Sequence, residues 1–106
     1  MVRKMSRKRR GVRGFDITSL PYEARVYLNN QVLVPAQLVR SLGIQGATYA
    51  RITMRFKGRE IVLDKVKLLR TKHTDSRQFT IPKSVRDEFE IRPGDKIQIV
   101  GIEAIG

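Results

Sequence analysis

The chain contains no cysteine, no tryptophan and a single histidine, His73, among its 106 residues. Without cysteine there can be no disulfide framework, no thiolate zinc site and no cysteine nucleophile, and one histidine cannot build a histidine-rich metal centre. Acidic side chains are scarce as well: 10 Asp+Glu stand against 22 Lys+Arg, a formal net charge of +12. No run approaches the roughly 18 consecutive apolar residues of a membrane-spanning helix. Gly11-Val12-Arg13-Gly14 stands where a signal peptide would carry its apolar stretch, so a cytoplasmic location and no membrane contact are expected. Phosphate-binding glycine loops, nucleophile elbows and dinucleotide fingerprints are missing too. A chain this short buries only about 60–65% of the surface its unfolded form exposes, enough for one core without a deep interdomain cleft. The expectation is a binding module, not an enzyme, with no cofactor and no metal.

What is present is positive charge, unevenly placed. Residues 1–14 carry Arg3, Lys4, Arg7, Lys8, Arg9, Arg10 and Arg13 and no acid. Such a segment has too little apolar surface to offset an ordering cost of roughly 1–2 kcal/mol per residue, and its like charges repel. Phosphate contacts reward that density through counterion release, so an extended nucleic-acid-binding arm is expected over residues 1–14. The same charge could serve as a solvated tail or as a contact to anionic lipid, the latter weakened by the lack of an amphipathic apolar face. A second basic stretch runs from Tyr49 to Lys72.

Sliding the sequence on itself by 47 positions, the separation of Val32 and Phe79, lays Gln31-Val-Leu-Val-Pro35 over Gln78-Phe-Thr-Ile-Pro82. It also lays Leu38, Leu42, Ile44, Ala50 and Ile52 over Val85, Phe89, Ile91, Ile97 and Ile99. The chain therefore reads as a tandem duplication. In each copy an apolar strand runs into a proline suited to the first turn of a helix. Helices are predicted over Ala36–Leu42, stopped by Gly43, and over Lys83–Phe89, with apolar residues three and four apart. Arg92-Pro93-Gly94-Asp95 predicts a type II turn, and Lys96–Val100 alternates as a half-buried strand. Tyr49–Phe56 alternates too, with Arg51 and Arg55 on one face and Ala50, Ile52, Met54 and Phe56 on the other, so one face is expected to be basic and the other core. Ala24–Leu28, Arg59–Leu63 and Val66–Thr71 complete the strands. The fold expected is mainly β with two short helices, an arm over 1–14 and a body over 15–106, with copy one about 24–56 and copy two about 66–102. Neither copy alone buries an adequate core, so the body should be a monomeric pseudo-dimer.

Copy two, with Arg77 leading Gln78-Phe79-Thr80-Ile81-Pro82-Lys83-Ser84-Val85-Arg86 and then the Pro93-Gly94-Asp95 turn, resembles the swapped-hairpin AbrB/SpoVT family over about 25 residues. The resemblance implies a swapped-hairpin β-barrel formed by interleaved copies, with basic residues of the strand and helix facing nucleic acid. The matching positions here are Arg77, Lys83, Arg86 and Arg92. Copy one departs from the pattern: Asn30, Ala36 and Val39 stand where Arg77, Lys83 and Arg86 do. A reader of palindromic DNA would present the same bases twice, and this chain does not.

Other polar residues have plainer readings. Asp87 and Glu88 point about 100° apart on a helix and so cannot converge on one atom. Asp95 is expected to brace its turn. His73 reads as an exposed junction residue, with a phosphate contact as the lesser reading, and Tyr22, Tyr27 and Tyr49 could stack on bases but do not cluster as an RNA-reading platform would. The function expected is nucleic-acid binding, with ribosomal RNA favoured over DNA and neighbouring ribosomal proteins as further partners. The binding set is the seven arm bases together with Arg51, Arg55, Arg77, Lys83 and Arg86. A DNA-binding regulator or chromosomal protein, and an antitoxin-like protein-binding module, are the alternatives.

Overall fold

The computed structural model describes residues 19–71 and 73–105. The arm bases Arg3, Lys4, Arg7, Lys8, Arg9, Arg10 and Arg13 lie outside the described residues. Seven strands and two helices follow in the order β1 (Tyr22–Arg25), β2 (Gln31–Val34), α1 (Ala36–Leu42), β3 (Tyr49–Phe56), β4 (Arg59–Lys67), β5 (Leu69–Arg70), β6 (Arg77–Thr80), α2 (Lys83–Phe89) and β7 (Lys96–Ile105).

Both helices have the predicted bounds, and the local chemistry explains why. Pro35 and Pro82 occupy the N-caps with φ of −59° and −57°, the value the pyrrolidine ring imposes. Gly43 closes α1 in the left-handed conformation at φ 69°, while Ile44 N–H donates to Val39 O at 3.1 Å. In α2 the same cap falls on Glu90 at φ 56°, where no glycine marks it, and Ile91 N–H donates to Arg86 O at 3.0 Å. Gly94, at φ 95°, supplies the positive φ of the Pro93-Gly94 turn. Arg92 N–H donates to Asp95 Oδ2 at 2.8 Å, so Asp95 braces that turn as expected.

The strands form a four-stranded antiparallel sheet, β1-β7-β3-β4, and a three-stranded one, β2-β6-β5. Alternation sets what each buries. On β3 the residues Ala50, Ile52, Met54 and Phe56 point inward, and on β2 and β6 so do Val32, Val34 and Phe79. These side chains join Leu38, Ile81, Ile97 and Ile99 in one core between the sheets.

The expected closed barrel is not what these strands make. β1 lies beside β2 and β4 beside β6, yet no ladder joins either pair, so both sheets stay open. Strand bounds move as well. β4 runs on to Lys67, leaving only Leu69–Arg70 as β5, and β7 continues past Val100 to Ile105 because β3 offers it a partner along that length.

Some strand pairings nevertheless bring together residues that correspond at the 47-residue offset. In β2–β6 Val32 faces Phe79, its counterpart at the 47-residue offset. The β3–β7 register shifts between Thr53 and Met54, beside Val100, the counterpart of Thr53. Thr48 and Asp95, which also correspond at that offset, both accept backbone bonds, Asp95 O from Val26 N–H at 2.9 Å and Thr48 O from Leu68 N–H at 2.7 Å, although the two donors do not correspond.

Candidate nucleic-acid interface

Arg51 and Arg55 project from the outward face of β3, and each meets an acid from a neighbouring strand. Arg51 Nη1 lies 3.2 Å from Glu103 Oε1 of β7, and Arg55 Nη2 lies 3.9 Å from Glu60 Oε2 of β4. All four side chains are at least half exposed, so these pairs restrain the arginines weakly and leave them able to exchange partners. The outward face of β3 carries these two bases as expected, but the sheet around it mixes signs because β4 and β7 contribute Glu60, Asp64 and Glu103. Periodicity within one strand does not reveal its lateral neighbours. Lys65 stacks over the Tyr49 ring at 4.5 Å, which places a cation and an aromatic surface at the same edge of the sheet.

Arg77 is a clearer correction. It was expected to face nucleic acid, but it is only 2% exposed. It stands two residues from Phe79 on β6 and so shares that residue's inward face. The guanidinium donates to the carbonyl oxygens of Asp75 at 2.5 Å, Ser76 at 3.1 Å and Gln45 at 2.6 Å. It is a tie between the turn before β6 and the loop after α1. Among the described residues no carboxylate pairs with it.

The two helix positions divide. Lys83 is exposed and pairs with Asp87 at 2.9 Å, one helical turn on, a contact of small energetic weight. Arg86 is half-buried and its Nε donates to Ile81 O at 2.9 Å, leaving the rest of its fork at the surface beside Arg92 and Asn30. Arg51, Arg55, Arg77, Lys83 and Arg86 therefore do not converge on a single site.

Sequence reasoning missed another corner. The turn before β6 packs against α1, bringing Arg40, Arg70 and His73 around one depression with Thr74 and Asp75. Arg40 Nη1 is held by Asp75 Oδ2 at 3.1 Å. The hydroxyls of Thr71, Thr74 and Ser76 bond to one another and, with Ser76 N–H donating to Thr74 Oγ1 at 2.8 Å, fix the turn. The signal in the sequence was the polar cluster Thr71, Thr74, Asp75 and Ser76 next to Arg70, but only tertiary packing supplies Arg40.

On another side Tyr22, Tyr27, Leu33, Pro35 and Ala36 bound an apolar groove of about 520 Å³. The Tyr22 hydroxyl donates to Leu33 O at 2.7 Å, and burial, with a smaller push from Tyr27, raises its phenol above the ordinary tyrosine range. Among the described residues no group of three or more His, Asp or Glu could hold a metal, and no helix is long and apolar enough to cross a membrane.

No family model matches the chain, and no curated protein matches it. Among solved structures it is similar to the solution structure of PHS018 from Pyrococcus horikoshii, with a TM-score of 0.57 and 18% sequence identity. The alignment covers 81% of this chain and 94% of that one, so the likeness extends over most of the body and is a likeness of fold.

Proposed function

We propose that this protein is a non-enzymatic nucleic-acid-binding protein that docks on structured RNA, most concretely ribosomal RNA, through phosphate contacts of its basic arm and body. The observation that carries the reading is seven bases without one acid in residues 1–14, on a chain of net charge +12. Counterion release makes such a segment bind polyanions strongly and without base readout. The body adds exposed arginines on β3 and a cationic corner beside α1. The internal pairing of Val32 with Phe79 supports an intramolecular duplication of a swapped-hairpin unit, the AbrB/SpoVT-like arrangement, with the two sheets left unclosed.

The second reading is an AbrB-like DNA-binding regulator, favoured by the string from Arg77 to Asp95. Against it stands the inward commitment of Arg77 and the mismatch between copies, which leave no repeated pair of basic readers for a palindrome.

The test uses the full chain with the seven arm bases changed to glutamine. Binding to ribosomal RNA should weaken steeply, and the slope of log K against log salt should fall by several units, at about 0.9 per duplex phosphate contact or 0.7 per single-stranded one. An unchanged slope refutes the arm's role. Crosslinking in cells then separates the readings: ribosomal RNA supports the first, and discrete DNA sites with a shared inverted repeat replace it with the second.

A further inference from the structure

Two depressions share Arg70 as a common wall. One, of about 390 Å³, is lined by Arg40, Arg70, His73, Thr74 and Asp75. The other, of about 420 Å³, lies between the Gln45–Thr48 loop and the end of β4, with Lys67, Arg70 and Arg77 in its lining. Together they make a cleft whose charged groups among the described residues are Arg40, Lys67, Arg70 and Arg77 against one acid, Asp75. That acid is already turned to Arg40 at 3.1 Å, which holds the guanidinium in place at the rim.

Arg77 gives the cleft its chemical sense. Its guanidinium is buried, bonded only to backbone carbonyls, and lacks an acidic partner among the described residues. A buried charge is costly to hold without a counter-charge, and an oxyanion in the cleft would supply one where solvent screens least. The opposite corner, related by the 47-residue offset, lacks this chemistry. There Asp87 takes the place of Arg40, Arg86 Nε is committed to Ile81 O, and Glu90 joins the lining.

We infer that the cleft between α1, β5 and the turn before β6 binds a phosphate group, Arg70 bridging its two halves and Arg77 providing buried positive charge beneath. The inference rests on the nucleic-acid reading above and makes the ligand a backbone phosphodiester of that nucleic acid.

The experiment titrates the full-length protein with inorganic phosphate, with chloride at matched ionic strength as the comparison, and follows backbone amides by NMR. It then compares wild type with Arg70→Gln, Arg40→Gln and, as a control at an exposed base of β1 outside the binding set, Arg25→Gln, in binding an oligoribonucleotide. Arg70 is exposed, and among the described residues its side chain forms no ion pair, so Arg70→Gln should melt as wild type does. Expected are saturable phosphate-specific shifts at Arg70, His73 and Thr74, lost in Arg70→Gln. Oligoribonucleotide affinity should fall about tenfold in Arg70→Gln, with about one unit off the salt slope, and by less in the Arg25→Gln control. Absence of phosphate-specific shifts, or their persistence in Arg70→Gln, overturns the site. If phosphate binds but oligoribonucleotide affinity is indifferent to Arg70, the cleft holds a free anion and the backbone assignment falls. If only the arm variant loses nucleic acid, the function stands and the cleft does not.

Discussion

Replacing Arg77 with methionine sets two large effects against each other. The guanidinium serves the carbonyls of Asp75, Ser76 and Gln45, and the last lies 32 positions away in the loop after α1. Methionine keeps much of the apolar stem and removes every donor. It also removes a buried charge whose desolvation costs several kcal/mol, so the change returns energy as well as taking it. Each charge-assisted bond contributes about 1.5–3 kcal/mol, and all three are lost together. Gln45 is exposed, so water can replace part of what its carbonyl loses. The bonds should win, for a net loss of about 2–3 kcal/mol, or roughly 10–20 °C in Tm for a domain of this size. Arg77→Lys should be no better, because lysine keeps the buried charge but cannot span three carbonyls with one ammonium. Urea unfolding of both variants measures this, with the m-value checking that the two-state comparison holds. A methionine variant as stable as wild type, or more stable, refutes the reasoning: the three bonds would then only offset the burial of the charge.

Tyr22→Phe removes the 2.7 Å bond to Leu33 O and should cost about 1–2 kcal/mol near neutral pH. Because burial raises the Tyr22 phenol, the folded state favours the neutral form, and its contribution is whole below the unfolded pKa of about 10 and lost as pH rises through the folded value. Wild type should therefore lose stability above about pH 10 more steeply than Tyr22→Phe in parallel urea titrations, and equal slopes would contradict it. Phe79→Ala empties the core opposite Val32 and should cost about 3–5 kcal/mol by chemical denaturation; a loss under about 1 kcal/mol would mean that the sheets close over the void.

Much of the fold was legible because its signals are local. Pro35 and Pro82 start helices, Gly43 stops one, and Pro93-Gly94 turns the chain with a positive φ that glycine accepts readily. Period-two alternation correctly assigned the buried face of β3. The same rule applied to β6 places Arg77 on the side of Phe79 and Ile81, so its inward direction was readable, but the resemblance to an arginine-led binding strand pointed the other way. What local signals do not carry is lateral pairing. Whether β1 joins β2 and β4 joins β6 depends on tertiary geometry, and there the expected barrel stays open. Glu103 beside Arg51 and Asp75 beside Arg40 are meetings of the same non-local kind.

At the 47-residue offset the apolar positions of the chain correspond and the polar ones diverge. Val32 and Phe79, Ile44 and Ile91, and Ile52 and Ile99 are all buried, because each half supplies the same apolar positions to one shared interior. The polar counterparts have no such tie. Asn30 answers to Arg77 and Arg40 to Asp87, so the apolar positions correspond while the charge pattern does not. A partner that meets both halves thus finds a cationic cleft at one corner and a mixed, partly acidic depression at the other. Such a surface favours one orientation on an asymmetric polyanion, as a folded RNA is, over the two equivalent orientations that a palindromic duplex would offer. Changes at the exposed members of these pairs, such as Arg40 and Asp87, therefore alter the charge pattern while leaving the shared interior intact, whereas Val39 and Arg77 belong to that interior.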